Sequence, residues 1–207
     1  MPAAGRFITL EGGEGAGKST QAGLLAQALC DLGRPVLRTR EPGGSPGAEL
    51  LRGILLGGTI DWSAQAETLL HFAARAEHVA KTIRPALAAG MWVVCDRFYD
   101  STLAYQGYGQ GADLDLIAAQ IALLRLVPDL TLVLNVSAPV AATRLTARGD
   151  APDRYERQGG DFHARVNAGF RQIAAADPAR CAVVDADSDL KTVHARLMRL
   201  VGARLAP

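Results

Sequence analysis

An apolar run, Phe7-Ile8-Thr9-Leu10, leads through a glycine-rich turn into a stretch with Leu24, Leu25, Ala28, Leu29 and Leu32 on one helical face and Gly33 as its stop. Strand, tight turn and helix in that order constrain the chain more than any other feature. The turn, Gly12-Gly13-Glu14-Gly15-Ala16-Gly17-Lys18-Ser19, matches G-x-x-x-x-G-K-[ST]. Its glycines let the backbone curl so that N–H groups face phosphate oxygens, and the following helix adds the positive end of its dipole. Lys18 would reach the β- and γ-phosphates, and the Ser19 hydroxyl would ligate Mg²⁺. Residues Gly12 to Ser19 with Thr20 are therefore expected to bind ATP or GTP with its metal.

The rest of the chain repeats the alternation. Further strands are expected at Val36-Leu37, Met91–Asp96, Leu130–Val136 and Cys181–Val184. Helices are expected at Lys18–Leu32, Ala48–Leu56, Ser63–Ala89 with a kink or early end at Pro85, Leu114–Val127, Pro139–Arg148, Phe162–Ala176 and Asp189–Arg204. Strands that are apolar on both faces and separated by helices imply an α/β fold, a parallel five-stranded sheet flanked by helices on both faces. The 207 residues suit a single domain spanning 1–207, with the polar Gly149–Asp161 stretch as a small mobile lid within it.

A net charge of +1 gives no general nucleic-acid or membrane footprint. Of the 22 basic residues only Lys18, Lys81 and Lys191 are lysines, so arginine forks are this chain's habitual anion grip. The odd number and wide spacing of Cys30, Cys95 and Cys181 predict buried, reduced thiols. Met1–Arg6 lacks a signal-peptide plan and no apolar run reaches membrane length, so a soluble, cytoplasmic protein is expected.

The second half of the metal site should be an acid at a strand end, and Asp96 fits. Neither a D-x-x-G switch nor an [NT]-K-x-D guanine reader occurs, which argues against a GTPase. A kinase also needs positive groups around a second phosphate and a cover that excludes water. Arg144, Arg148, Arg154 and Arg157 in or before the lid could neutralise charge developing in transfer.

The chain resembles bacterial thymidylate kinases over nearly its whole length. The matching pieces are Glu11 to Ser19, Thr39-Arg40-Glu41-Pro42-Gly43-Gly44, Asp96-Arg97-Phe98 with Ser101 to Gly107, and Phe162-His163 through Gly169-Phe170. The resemblance implies γ-phosphoryl transfer from ATP to dTMP with Mg²⁺, and a homodimer. It implies that Glu41 and Arg52 lie near the acceptor's sugar and phosphate, and that Arg97 clamps that phosphate. It implies that Arg75 donates to a thymine carbonyl, that Thr102 and Gln106 bond the base edge, and that Tyr105 crowds the sugar 2′ position. Catalytic roles would fall to Lys18, Arg97, the acidic Glu11 before the loop, and lid arginines Arg148 and Arg154, because the phosphate loop itself has no arginine. The alternatives are a kinase for another nucleoside monophosphate or deoxynucleoside, and a P-loop ATP-binding regulatory protein without acceptor.

The chain departs from the family at one place. A phenylalanine usually stands one helical turn before the base-reading arginine, and here that position is His71, with Phe72 next. Residues i and i+4 share a helix face. Either His71 stacks on the base, or the helix is rotated and Phe72 does.

Overall fold

The computed structural model describes residues 5–57, 60–149 and 154–205. Five strands, β1 (Phe7–Glu11), β2 (Val36–Arg40), β3 (Trp92–Asp96), β4 (Leu130–Asn135) and β5 (Cys181–Asp185), form one parallel sheet in the order β2-β3-β1-β4-β5. The expected α/β architecture is the observed one. Period-two alternation assigns the strand faces. Ile8 and Leu10 of β1 join one buried cluster, while Phe7 joins another on the opposite face.

The first cluster lies under helices α1 (Lys18–Asp31) and α9 (Leu190–Leu205). The buried stripe of α1 is Lys18, Gln21, Ala22, Leu25, Ala26 and Leu29. Leu32, expected on that stripe, is its C-cap and is 57% exposed, because the helix is oriented by the turn that precedes it. Cys30 is also exposed, which corrects the expectation of three buried thiols; Cys95 and Cys181 are buried.

The second cluster joins Phe7, Val93, Cys95 and Phe98 to the helical layer above them. That layer contains α2 (Pro46–Leu56), α3 (Ala64–His78), α4 (Arg84–Ala88), α5 (Tyr99–Thr102) and α6 (Leu114–Leu124). The expected Ser63–Ala89 helix is α3, a π-helical turn at Val79–Ile83, and α4. Pro85 falls in the first turn of α4, where its missing N–H is not needed. Helix α6 stops at Leu124, short of Val127, because Arg125 turns left-handed at φ 46°.

A third cluster packs α8 (Gly160–Ala176) against β4, β5 and a π-helical segment, Leu103–Gly109. Helix α7 (Ala138–Arg148) ends at Gly149 with φ 74°. Of the expected lid, residues 150–153 lie outside the described residues. Positions 154–157 form a turn, and 160–161 already belong to α8. Among the described residues no helix is long and apolar enough to cross a membrane.

Candidate active site

The carboxyl ends of β1, β2 and β3 converge on one edge of the sheet, where parallel α/β folds place their ligands. Gly12 and Gly15 hold φ of 135° and 70°. A Cβ on Gly12 would run into the carbonyl oxygen of Leu134, and one on Gly15 would sit 2.6 Å from that of Ala141. The phosphate loop is thus pressed against β4 and α7, and only glycine permits it.

Lys18 is buried and donates to the Gly13 carbonyl at 2.7 Å. Burial, with Arg97 nearby, lowers its ammonium to a pKa of about 8 against the pull of Glu14 and Asp96. Such a group gains from a phosphate dianion beside it. The Ser19 hydroxyl donates to Asp96 Oδ2. Asp96 Oδ1 is buried with no hydrogen-bond partner among the described residues. An oxygen anion without a donor beside a hydroxyl suits a hard cation or its bound water, so these two residues fit Mg²⁺.

Arg97 adopts φ 69°, a left-handed conformation that costs a side-chain-bearing residue about 1 kcal/mol or more. Its N–H bonds the Leu10 carbonyl, which fixes the residue to β1. Its guanidinium donates to Gly12 O at 3.1 Å, Ser101 Oγ at 3.2 Å, Glu14 Oε1 at 2.6 Å and the Tyr105 hydroxyl at 3.2 Å. Burial pushes the Glu14 carboxyl upward, but Arg97, Lys18 and the Tyr105 hydroxyl outweigh it and hold it at about 2. The Glu14 side chain thereby faces Arg97, while its backbone belongs to the phosphate loop.

Two cavities meet here. One, of about 500 Å³, is lined by Gly15 to Gln21, Arg144 and Ser188 to Leu190. The other, of about 220 Å³, is lined by Glu41, Arg52, His71, Arg75, Arg97, Thr102, Tyr105 and Gln106 among others. Glu14, Lys18, Ser19 and Arg148 line both.

In the smaller cavity, Arg75 is held from three sides. It donates to Glu41 Oε2 at 2.7 Å, Thr102 Oγ1 at 3.1 Å and the Phe98 carbonyl at 3.1 Å. Glu41 also takes His78 Nδ1 at 3.0 Å. Arg52 donates to the Pro42 carbonyl at 2.7 Å. His71 is buried, and its Nε2 meets the Tyr155 hydroxyl at 2.8 Å. Burial, then Arg75 and Arg97, depress its pKa to about 3, so it is neutral at physiological pH.

Three expected site residues lie elsewhere. Phe72 does not line the cavity; it packs with Phe7 and Phe98 in the second cluster, under the Arg75 guanidinium at 4.9 Å. The helix is not rotated, so His71 faces the cavity. Glu11 is fully buried behind the wall, accepting from the Phe98 N–H at 2.7 Å and Ser101 Oγ at 2.6 Å. Burial, then the nearby Asp100, raise its carboxyl to about 8 against the pull of the Ser101 hydrogen bond and Arg97. Arg154 does not line either cavity; its guanidinium pairs with Glu67 at 2.6 Å, a close ion pair without hydrogen-bond alignment.

Tyr155 and Glu156, in the turn at 154–157, line the smaller cavity and carried no motif in the sequence. Glu67, beneath it, was missed as well. It stands one turn before His71 and two before Arg75 on the same face of α3, the spacing that puts it beneath the cavity.

A model of the family described as thymidylate kinase matches residues 10–197. The chain belongs to the thymidylate kinase family. It is similar to the thymidylate kinase of Gluconobacter oxydans, 55% identical over 97% of this chain and 96% of that one. It is 51% identical to the thymidylate kinase of Caulobacter vibrioides, over 97% of this chain and 98% of the other. The crystal structure of thymidylate kinase from Ehrlichia chaffeensis superposes with a TM-score of 0.79 at 35% identity, covering 96% of this chain and 99% of that one. The chain is therefore a phosphotransferase of this family.

Proposed function

We propose that this enzyme phosphorylates dTMP to dTDP by direct, in-line transfer of the γ-phosphoryl group of ATP. One observation carries the reading: Lys18, Ser19 and Arg148 stand on the wall shared by two cavities, so a donor phosphate in one faces an acceptor in the other. The larger cavity takes ATP along the phosphate loop, with the adenine toward Arg144 and Ser188–Leu190. Magnesium held by Ser19 and Asp96 would supply charge neutralisation at the transferring group.

In the smaller cavity Arg97 grips the acceptor phosphate with its fork, and Arg52 and Glu41 approach the sugar and phosphate. Arg75, aimed by Glu41, Thr102 and Phe98, donates to a base carbonyl. Thr102 and Gln106 address the base edge, the Tyr105 ring limits space at the sugar 2′ carbon, and His71 covers the base face. Glu11 positions Ser101 and the Phe98 N–H from behind. Arg148 neutralises charge on the transferring group, while the lid's Tyr155 and Glu156 exclude water.

A homodimer is supported by exposed Leu50 and Ile54 on α2, Leu69 on α3 and Leu123 on α6, which are 75%, 48%, 49% and 79% accessible. The free cysteines support a reducing, cytoplasmic setting. The test is a panel of nucleoside monophosphates with ATP and Mg²⁺. We expect ADP release to depend on dTMP; a clear preference for UMP, CMP, AMP or GMP overturns the reading.

A further inference from the structure

Glu67 is fully buried on α3, does not line the cavity, and gathers groups from the end of the Leu103–Gly109 segment and from the turn at 154–157. Its Oε1 accepts from Gln106 Nε2 at 2.7 Å, Gln110 Nε2 at 3.0 Å and the Tyr155 hydroxyl at 2.7 Å. Its Oε2 faces the Arg154 guanidinium at 2.6 Å. A carboxylate only accepts, so it draws the nitrogen end of the Gln106 amide toward itself. The second proton of that nitrogen goes to the Tyr155 hydroxyl at 3.1 Å. Both protons are then spent away from the base. What Gln106 has left for the cavity it lines is its carbonyl oxygen, an acceptor.

We propose that Glu67 is a specificity-determining positioning residue: by locking the Gln106 amide, it presents an acceptor that only a pyrimidine protonated at N3 can satisfy. Thymine and uracil carry that N3–H, flanked by carbonyl acceptors. Cytosine offers a lone pair at N3 and an amino donor beside it, so it meets the Gln106 oxygen acceptor to acceptor. Arg75, a pure donor, completes a pattern that matches a base carbonyl and opposes the cytosine amino group. The inference rests on the dTMP reading above and deepens it.

In Glu67→Gln the new amide satisfies Gln106 in either orientation, so the lock is released. The measurement is kcat/KM for dTMP, dUMP and dCMP in the wild type, Glu67→Gln and Tyr155→Phe. We expect the dTMP-to-dCMP ratio to fall about tenfold or more in Glu67→Gln, and less in Tyr155→Phe, while the dTMP-to-dUMP ratio stays put. Unchanged ratios in both variants, or an equal fall of both ratios, overturn the proposal. If Glu67→Gln fails to fold by circular dichroism, Tyr155→Phe decides by the same criterion. A wild type without dTMP-dependent ADP release overturns the function instead, and the ratios are then read from binding of the three nucleotides.

Discussion

One guanidinium nitrogen of Arg148 donates to both carboxylate oxygens of Glu156, at 2.8 Å each, across the mouth where the two cavities join. The pair ties the end of α7 to the turn at 154–157. It also separates Arg148 from Arg154, whose charge is taken up by Glu67 away from both cavities.

Arg148 and Arg154 are therefore expected to differ in kind. Arg148→Ala should lower kcat by about a thousandfold or more, as when an arginine that stabilises a transferring phosphoryl group is removed. Arg154→Ala should chiefly raise KM for dTMP, with kcat kept within about tenfold, because Arg154 pairs with Glu67 and lines neither cavity. Steady-state kinetics on both variants distinguish them, and a larger kcat loss in Arg154→Ala would reverse the assignment.

The unpartnered Asp96 oxygen makes a prediction about metal. Asp96→Asn keeps the size and removes the charge. The Mg²⁺ concentration for half-maximal rate should rise about 10–100-fold, with far-UV circular dichroism unchanged. An unaltered Mg²⁺ requirement would remove Asp96 from the metal site.

His71 carries a signature in stability against pH. Its pKa is about 3 in the folded protein against 6.5 for the free side chain. As pH falls below 6.5 the unfolded chain takes up this proton first, so the folded state loses stability down to about pH 3. Between pH 7 and 5 the loss from this group is about 2 kcal/mol. Urea unfolding at the two pH values should show that difference in the wild type and lack it in His71→Phe.

Phe72 and His71 should separate in their effects. Phe72→Ala leaves a hole beside Phe7 and Phe98 and should cost about 3–5 kcal/mol of stability. His71→Ala should weaken dTMP binding more than it weakens the fold. Calorimetric dTMP titration beside chemical unfolding of both variants checks this, and weaker dTMP binding in a fully stable Phe72→Ala would contradict it.

The elements were legible where one residue type answers to one constraint. Runs such as Trp92-Val93-Val94-Cys95 locate buried strands because both faces of a central parallel strand meet helices. The phosphate loop was legible for a similar reason, since no residue but glycine fits at Gly12 or Gly15. The orientation of α1 was not, because leucine and alanine weigh alike in a periodicity and Leu32 belongs to the cap. The Glu67–Tyr155 contact joins positions 88 apart through a turn and a helix, and no local pattern encodes it. Glu11 was placed among catalytic groups by the family resemblance, and Arg154 by its charge in the polar 149–161 stretch. Only packing reveals that one lies behind the wall and the other is already neutralised.

The pressing of Gly12 against the Leu134 carbonyl has a consequence for ancestry. The shape of the phosphate loop is inherited with the sheet, and any drift in it must carry β4 along. The smaller cavity is lined by side chains of α3, the Leu103–Gly109 segment and the turn at 154–157, none of which the sheet dictates. A lineage of such enzymes is free to change its preferred base while its phosphate chemistry stands still. Laboratory selection for a new acceptor should accordingly collect its substitutions at positions such as Glu67, His71, Gln106 and Tyr155, and leave Gly12 to Ser19 untouched.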